Sequence, residues 1–92
     1  MNKIEWLQHE LKTKGFVTGL IAVDNAICYY RLSDGILKLR KRGWQIATEK
    51  IHTGVSQYAR YWYIDEQLKQ YMAIKNLELR EVKGVMYVVD KD

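Results

Sequence analysis

The sequence has little of what several protein classes depend on. It has no proline, although this absence alone does not exclude any fold. It has one cysteine in 92 residues. A single cysteine, Cys28, excludes an internal disulfide and a cysteine-based zinc site within the chain. No apolar run approaches the ~18 residues that would span a bilayer, and residues 1–15 carry charges throughout, unlike a signal peptide. We therefore expect a cytoplasmic protein that does not associate with membranes.

Catalytic motifs are also missing. Its Ser, His, Asp and Cys residues do not have the spacing of a Ser/His/Asp or Cys/His catalytic motif. The sequence also has no glycine-rich phosphate loop and no paired acids on an apolar strand. His52 has no partner at metal-ligand spacing. We therefore expect neither an enzyme nor a cofactor or metal site.

Positive charge is concentrated in the middle of the chain. The net charge is +4 overall, but residues 31–60 alone carry +5, and the remaining residues sum to −1. Four basic residues fall within the five positions 38–42. A localised basic segment is typical of a surface that contacts a polyanion such as nucleic acid, although basic residues also favour the end of any helix.

Capping residues and apolar spacing predict three helices in the first half. Asn2 and Gly15 bound the first helix, and Thr18 can cap a second, short one. The third helix covers residues 31–43 and ends at Gly43. On a helical projection its apolar residues share one face, opposite a basic outer face. That apolar face consists of Leu32, Ile36 and Leu39.

Two strand-like segments, residues 44–51 and 57–64, follow the third helix and predict a β-hairpin. Asp65 can then cap a fourth helix, and a Lys83-Gly84 turn can join two final strands, LELREV and VMYVVD. This last segment, residues 65–92, either packs on the first helix and enlarges the core or presents an apolar edge for a homodimer.

Three short helices, of which the third is basic, followed by a β-hairpin are the order of a winged helix-turn-helix. The sequence resembles the small winged helix-turn-helix domains common in phage and prophage proteins. The resemblance covers residues 1–64 and implies three helices and a β-hairpin wing there. Residues 65–92 have no counterpart in that family, and their own pattern predicts a helix-hairpin extension, so the predicted fold class is α+β. The matching residues are Thr18, Arg31-Leu32-Ser33, Ile36, Leu39, Arg40-Lys41, Gly43, Ile46 and Tyr58-Ala59-Arg60-Tyr61.

In such a domain the third helix enters the major groove, and its N-terminal half faces the base edges. Arg31, Ser33, Asp34 and Lys38 are the candidates for base readout, while Lys41 and Arg42 are better placed to neutralise phosphates.

The wing and the start of the second helix supply a second set of candidates. N–H groups beside Thr18 can bind a phosphate at the positive end of the helix dipole, and wing side chains can reach the neighbouring backbone or minor groove. Arg60 alternatively stacks on Tyr58 or Trp62. The candidates are Thr18, Lys50, His52, Thr53, Ser56, Gln57 and Arg60.

The sequence thus predicts sequence-specific binding of double-stranded DNA by a phage or mobile-element transcriptional regulator, in the host cytoplasm if it is phage-encoded. The alternative is a small inhibitor or adaptor that docks the same basic surface on a protein, such as a defence or replication enzyme.

Overall fold

A computed structural model describes residues 2–18, 32–52, 54 and 57–91 of the chain. The predicted second helix, the turn that contains Cys28, and Arg31 lie outside these residues, as do Thr53 and Ser56 in the wing. The described helices are α1 (Lys3–Lys14), α2 (Leu32–Lys41) and α3 (Glu66–Lys75). The described strands are β1 (Phe16–Thr18), β2 (Ile46–His52), β3 (Gln57–Tyr63), β4 (Leu77–Val82) and β5 (Val85–Asp90). The predicted α+β class is confirmed.

Helix α1 has the predicted ends. The Asn2 side chain accepts a hydrogen bond of 2.8 Å from the Glu5 N–H, which satisfies a donor that the first turn leaves free. Gly15 has a φ of 87° and donates its N–H to the Leu11 carbonyl oxygen. A side chain at Gly15 would be strained by that φ, and a Cβ there would lie 2.7 Å from Gln67 Oε1. Glycine thus both ends α1 and admits α3 beside it.

The predicted hairpin forms the centre of a sheet. Strands β2 and β3 pair antiparallel, from Ile46 opposite Tyr63 to His52 opposite Gln57. The complete order of the described strands is β1-β3-β2-β5-β4. Strand β5 runs parallel to β2, with Thr48 opposite Tyr87. A parallel neighbour needs a long connection, which β3, α3 and β4 provide here.

The two faces of the sheet cover two apolar clusters. Alternation along β3 directs Tyr61 and Tyr63 to one face and Trp62 to the other. The face that α1 and α2 cover, called here the α1/α2 face, includes Val17 and Ile46. The opposite face, called the α3 face, is covered by α3.

Helix α3 packs mainly on the sheet. Its Leu68 is fully buried with Trp62 and Val88 on the α3 face. It meets the end of α1 where Gln67 Nε2 donates a hydrogen bond of 2.9 Å to the Lys14 carbonyl oxygen. The C-terminal segment therefore enlarges the domain by extending its sheet and covering the second face.

Candidate nucleic-acid interface

Helix α2 separates its residues into buried and exposed rows. Residues four apart lie above one another on a helix, so Leu32 and Ile36 form a buried row. The next row outward is exposed throughout, and its Leu37 retains 52% exposure. A second exposed row adjoins it. The first exposed row is Ser33, Leu37 and Lys41, and the second is Asp34, Lys38 and Arg42.

The second exposed row borders α1. Asp34, Lys38 and Arg42 line one side of an open cleft of about 670 Å³, and the N-terminal half of α1 lines the other. Gly35, an unusual residue inside a helix, is buried and also lines this cleft. The outer face of α2 therefore carries three cations and one acidic residue on two adjacent rows.

Arg40 differs from the other cations of the basic segment. It lies four residues after Ile36, in line with the buried row, and is half-buried. Its Nε and Nη2 donate to the Ile46 carbonyl oxygen at 3.1 and 2.8 Å, and Nη2 also donates to Thr48 Oγ1 at 2.9 Å. Burial lowers the pKa of the Arg40 guanidinium. Arg40 thus fastens the end of α2 to strand β2.

The structure describes three of the predicted wing contacts, Lys50, His52 and Gln57. Lys50 and His52 are exposed on β2, and the Lys50 Nζ lies 5.8 Å from the centre of the Tyr87 ring. Gln57 lies opposite His52 on β3. Residues 53 and 56 fall outside the described residues, so their predicted contacts stay predictions.

Two other predicted DNA contacts, Thr18 and Arg60, lie opposite each other in the sheet, and the Arg60 side chain is 24% exposed. Thr18 ends β1 and is 5% exposed. Arg60 projects from the α3 face, away from α2, with its guanidinium 5.3 Å from the Phe16 ring centre and 5.7 Å from that of Trp62. The alternative of stacking on Trp62 describes Arg60 correctly, because the period of two along β3 directs residues 60 and 62 to the same face.

Arg60 belongs to a polar cluster under α3. The buried Glu49 carboxylate accepts hydrogen bonds of 3.0 Å from Trp62 Nε1 and 2.6 Å from the Tyr71 hydroxyl, and Arg60 Nη1 lies 3.5 Å away. Burial, together with the hydrogen bond to Glu49, raises the pKa of Tyr71 to about 12. Because its buried oxygens are satisfied by three partners, Glu49 can remain in the interior and join the wing to α3.

Two features of this surface were not among the predicted contacts. Leu37 is an exposed apolar residue between Ser33 and Lys41, and its place on the outer side of the helical projection is the signal that could have identified it. Tyr87 comes to lie beside Lys50 through the pairing of β5 with β2, for which the sequence carries no signal.

A family model described as the winged helix-turn-helix domain matches residues 7–66. The match includes most of α1, the strands β1 to β3, and α2, so the chain belongs to this family of DNA-binding domains. Searches of curated proteins and of solved structures found no match. Among the described residues, no helix is both long and apolar enough to cross a membrane.

Proposed function

We propose that this protein binds double-stranded DNA sequence-specifically through α2 and acts as a transcriptional regulator. The observation that carries the proposal is the exposed double row on α2, with its three cations, on a helix that Arg40 fastens to the wing. The resemblance to phage-type domains supports a phage or mobile-element origin and a site of action in the host cytoplasm.

The two ends of α2 have different roles in this proposal. Ser33 and Asp34 lie in the N-terminal half, and Lys38 lies one turn beyond Asp34 on the same row. In this proposal all three face base edges, where a lysine can pair with guanine and a serine can serve several bases. Leu37 lies among them and offers an apolar contact to a thymine methyl group. Lys41 and Arg42 neutralise phosphates and fix the position of the helix along the groove.

The wing adds contacts to the flanking backbone. Lys50 and His52 are exposed on the strand to which α2 is fastened, so they follow the helix along the duplex at a fixed distance. The contacts predicted for Arg31, Thr53, Ser56 and Gln57 stay predictions and are part of this proposal. Thr18 and Arg60 are left out of the proposed surface, because the Thr18 side chain is buried and Arg60 projects from the α3 face, away from α2. The N–H groups beside Thr18, at the start of the predicted second helix, lie outside the described residues and stay predicted contacts.

A mobility-shift titration on mixed genomic fragments tests the proposal. With four to six phosphate contacts, affinity should fall by ~10²–10³ between 50 and 200 mM salt. An absence of any shift at low salt would contradict DNA binding and favour the protein-docking alternative.

Selection of bound oligonucleotides then tests the assigned roles. Lys38→Ala should cost ~1–3 kcal/mol on the selected sequence and relax the preference at one position, whereas Lys41→Ala should weaken binding to all sequences alike. The matched control is Lys75→Ala, which removes an exposed cation at the end of α3. It should change neither the affinity nor the sequence preference. Equal weakening of all sequences by Lys38→Ala would remove its role in readout.

A further inference from the structure

Strand β4 forms one edge of the sheet. Its residues pair with β5 in an unbroken register, from Leu77 opposite Asp90 to Val82 opposite Val85. Within the described part of the chain, no strand pairs with its other side. A strand in this position presents unpaired N–H and C=O groups that can accept another strand.

Opposite charges alternate with leucines along this edge. Leu77 and Leu79 pack against the cluster on the α3 face, so Glu78 and Arg80 project from the α1/α2 face. The Arg80 Nη2 and Glu78 Oε1 atoms lie 3.0 Å apart, and their side chains remain 57% and 40% exposed. On the α1/α2 face the edge therefore carries one negative and one positive group, each one residue from Leu79, while Glu81 lies on the other face.

We propose that a second copy of this chain pairs with β4 antiparallel, about a two-fold axis through Leu79. In this register Glu78 lies opposite Arg80 of the second copy, Arg80 lies opposite its Glu78, and the two Leu79 side chains meet on the α3 face. Cross-strand pairs of opposite charge and of apolar residues stabilise a sheet. Both kinds form here without rearrangement of the strand.

The charges specify both the register and the partner. Moving the axis by one residue sets Glu78 opposite its own copy or Arg80 opposite its own copy, and like charges directly opposite each other are destabilising. A parallel pairing in register would likewise set each charged residue opposite its own copy. The complementarity holds for a surface that meets itself under two-fold symmetry, as in isologous dimers.

The arrangement is compatible with the proposed function but does not rest on it. A two-fold axis perpendicular to the sheet keeps both α1/α2 faces on the same side of the dimer, so both α2 helices are presented in one direction. A palindromic DNA site needs two recognition helices that face the duplex from the same side. The dimer is a property of the protein alone and is tested without DNA.

Sedimentation velocity on the full chain, from micromolar to several hundred micromolar, tests the interface. The wild-type chain should dimerise within this range. Glu78→Arg and Arg80→Glu should each weaken dimerisation by about tenfold or more, since symmetry introduces each change twice. The double variant, with the charges exchanged, should restore it. Thermal melts of all variants establish that the monomers are folded.

Glu81→Arg is the matched control, because it reverses a charge on the same strand but lies opposite Leu77 of the second copy in the proposed register. It should dimerise within about twofold of wild type. A wild-type chain that stays monomeric throughout overturns the proposal. Single variants that dimerise like wild type, or a double variant as weak as the singles, overturn this interface even if a dimer forms by other contacts.

Discussion

Replacing Arg40 by alanine should destabilise the fold without removing a DNA contact. The guanidinium has two acceptors, the Ile46 carbonyl oxygen and Thr48 Oγ1, at 2.8 to 3.1 Å. A hydrogen bond to a charged group contributes about 1.5–3 kcal/mol, and two that share one donor group add less than their sum. We expect a loss of about 2–4 kcal/mol in the free energy of unfolding, or about 10–20 °C in Tm.

The neighbouring Lys41→Ala variant provides the contrast. Lys41 is exposed on the outer row of α2, so its removal should change the free energy of unfolding by less than about 0.5 kcal/mol. Lys41→Ala should reduce the slope of log affinity against log salt by about one, the amount expected for one lost phosphate contact.

Urea unfolding and salt titrations of DNA binding, performed on both variants, measure the two effects separately. Affinity of Arg40→Ala is measured at a temperature where the variant is folded, and its salt slope should equal that of wild type. An Arg40→Ala protein that unfolds like wild type but loses one unit of salt slope would refute the structural role of Arg40. Arg40→Lys should recover part of the stability, since an ammonium can satisfy one acceptor but not the forked geometry of both.

Two further predictions concern the extension. Leu68 is fully buried, so Leu68→Ala should lower the free energy of unfolding by about 3–5 kcal/mol in one cooperative urea transition. Ile74, on the same helix, is 81% exposed, so Ile74→Ala should lower it by less than about 0.5 kcal/mol. A loss confined to a separate transition would contradict a single domain. The pKa of Tyr71 is raised to about 12, so the folded chain keeps a proton that the unfolded chain releases above pH 10. Stability should therefore be retained below pH 10 and fall by about 1–2 kcal/mol as the pH rises from about 10 to 12, allowing for partial solvation. Tyr71→Phe should lose less than wild type over this interval, and an equal loss in both would exclude Tyr71 as its source.

Local signals in the sequence were sufficient for the ends of several elements. The side chain of Asn2 and the left-handed conformation of Gly15 involve residues within one or two helical turns, so the sequence contains the whole interaction. The same holds for the apolar face of α2, because helical spacing alone brings Leu32, Ile36 and Leu39 together.

Pairings between distant segments could not be predicted in this way. The alternation in VMYVVD indicates a strand with one buried face, but it does not say which strand lies beside it. The parallel pairing of β5 with β2, and with it the positions of Tyr87 and Arg80, depends on how α3 crosses the sheet. Arg60 shows the same limit, since its partner Glu49 lies on another strand.

The extension has a physical consequence for the proposed interface. In a domain that ended after the hairpin, β2 would be an edge strand, and its outer hydrogen-bonding groups would depend on solvent. Here β5 pairs with that edge, Glu49 joins β2 to Trp62 and to Tyr71 of α3, and Arg40 fastens α2 to the same strand. Because β2 is held on both sides and on both faces, α2 and the exposed wing residues Lys50 and His52 keep one relative geometry before any ligand binds. Little conformational entropy is then lost when the helix and the wing contact a duplex together, and a site whose groove and flanking backbone do not match this geometry is disfavoured.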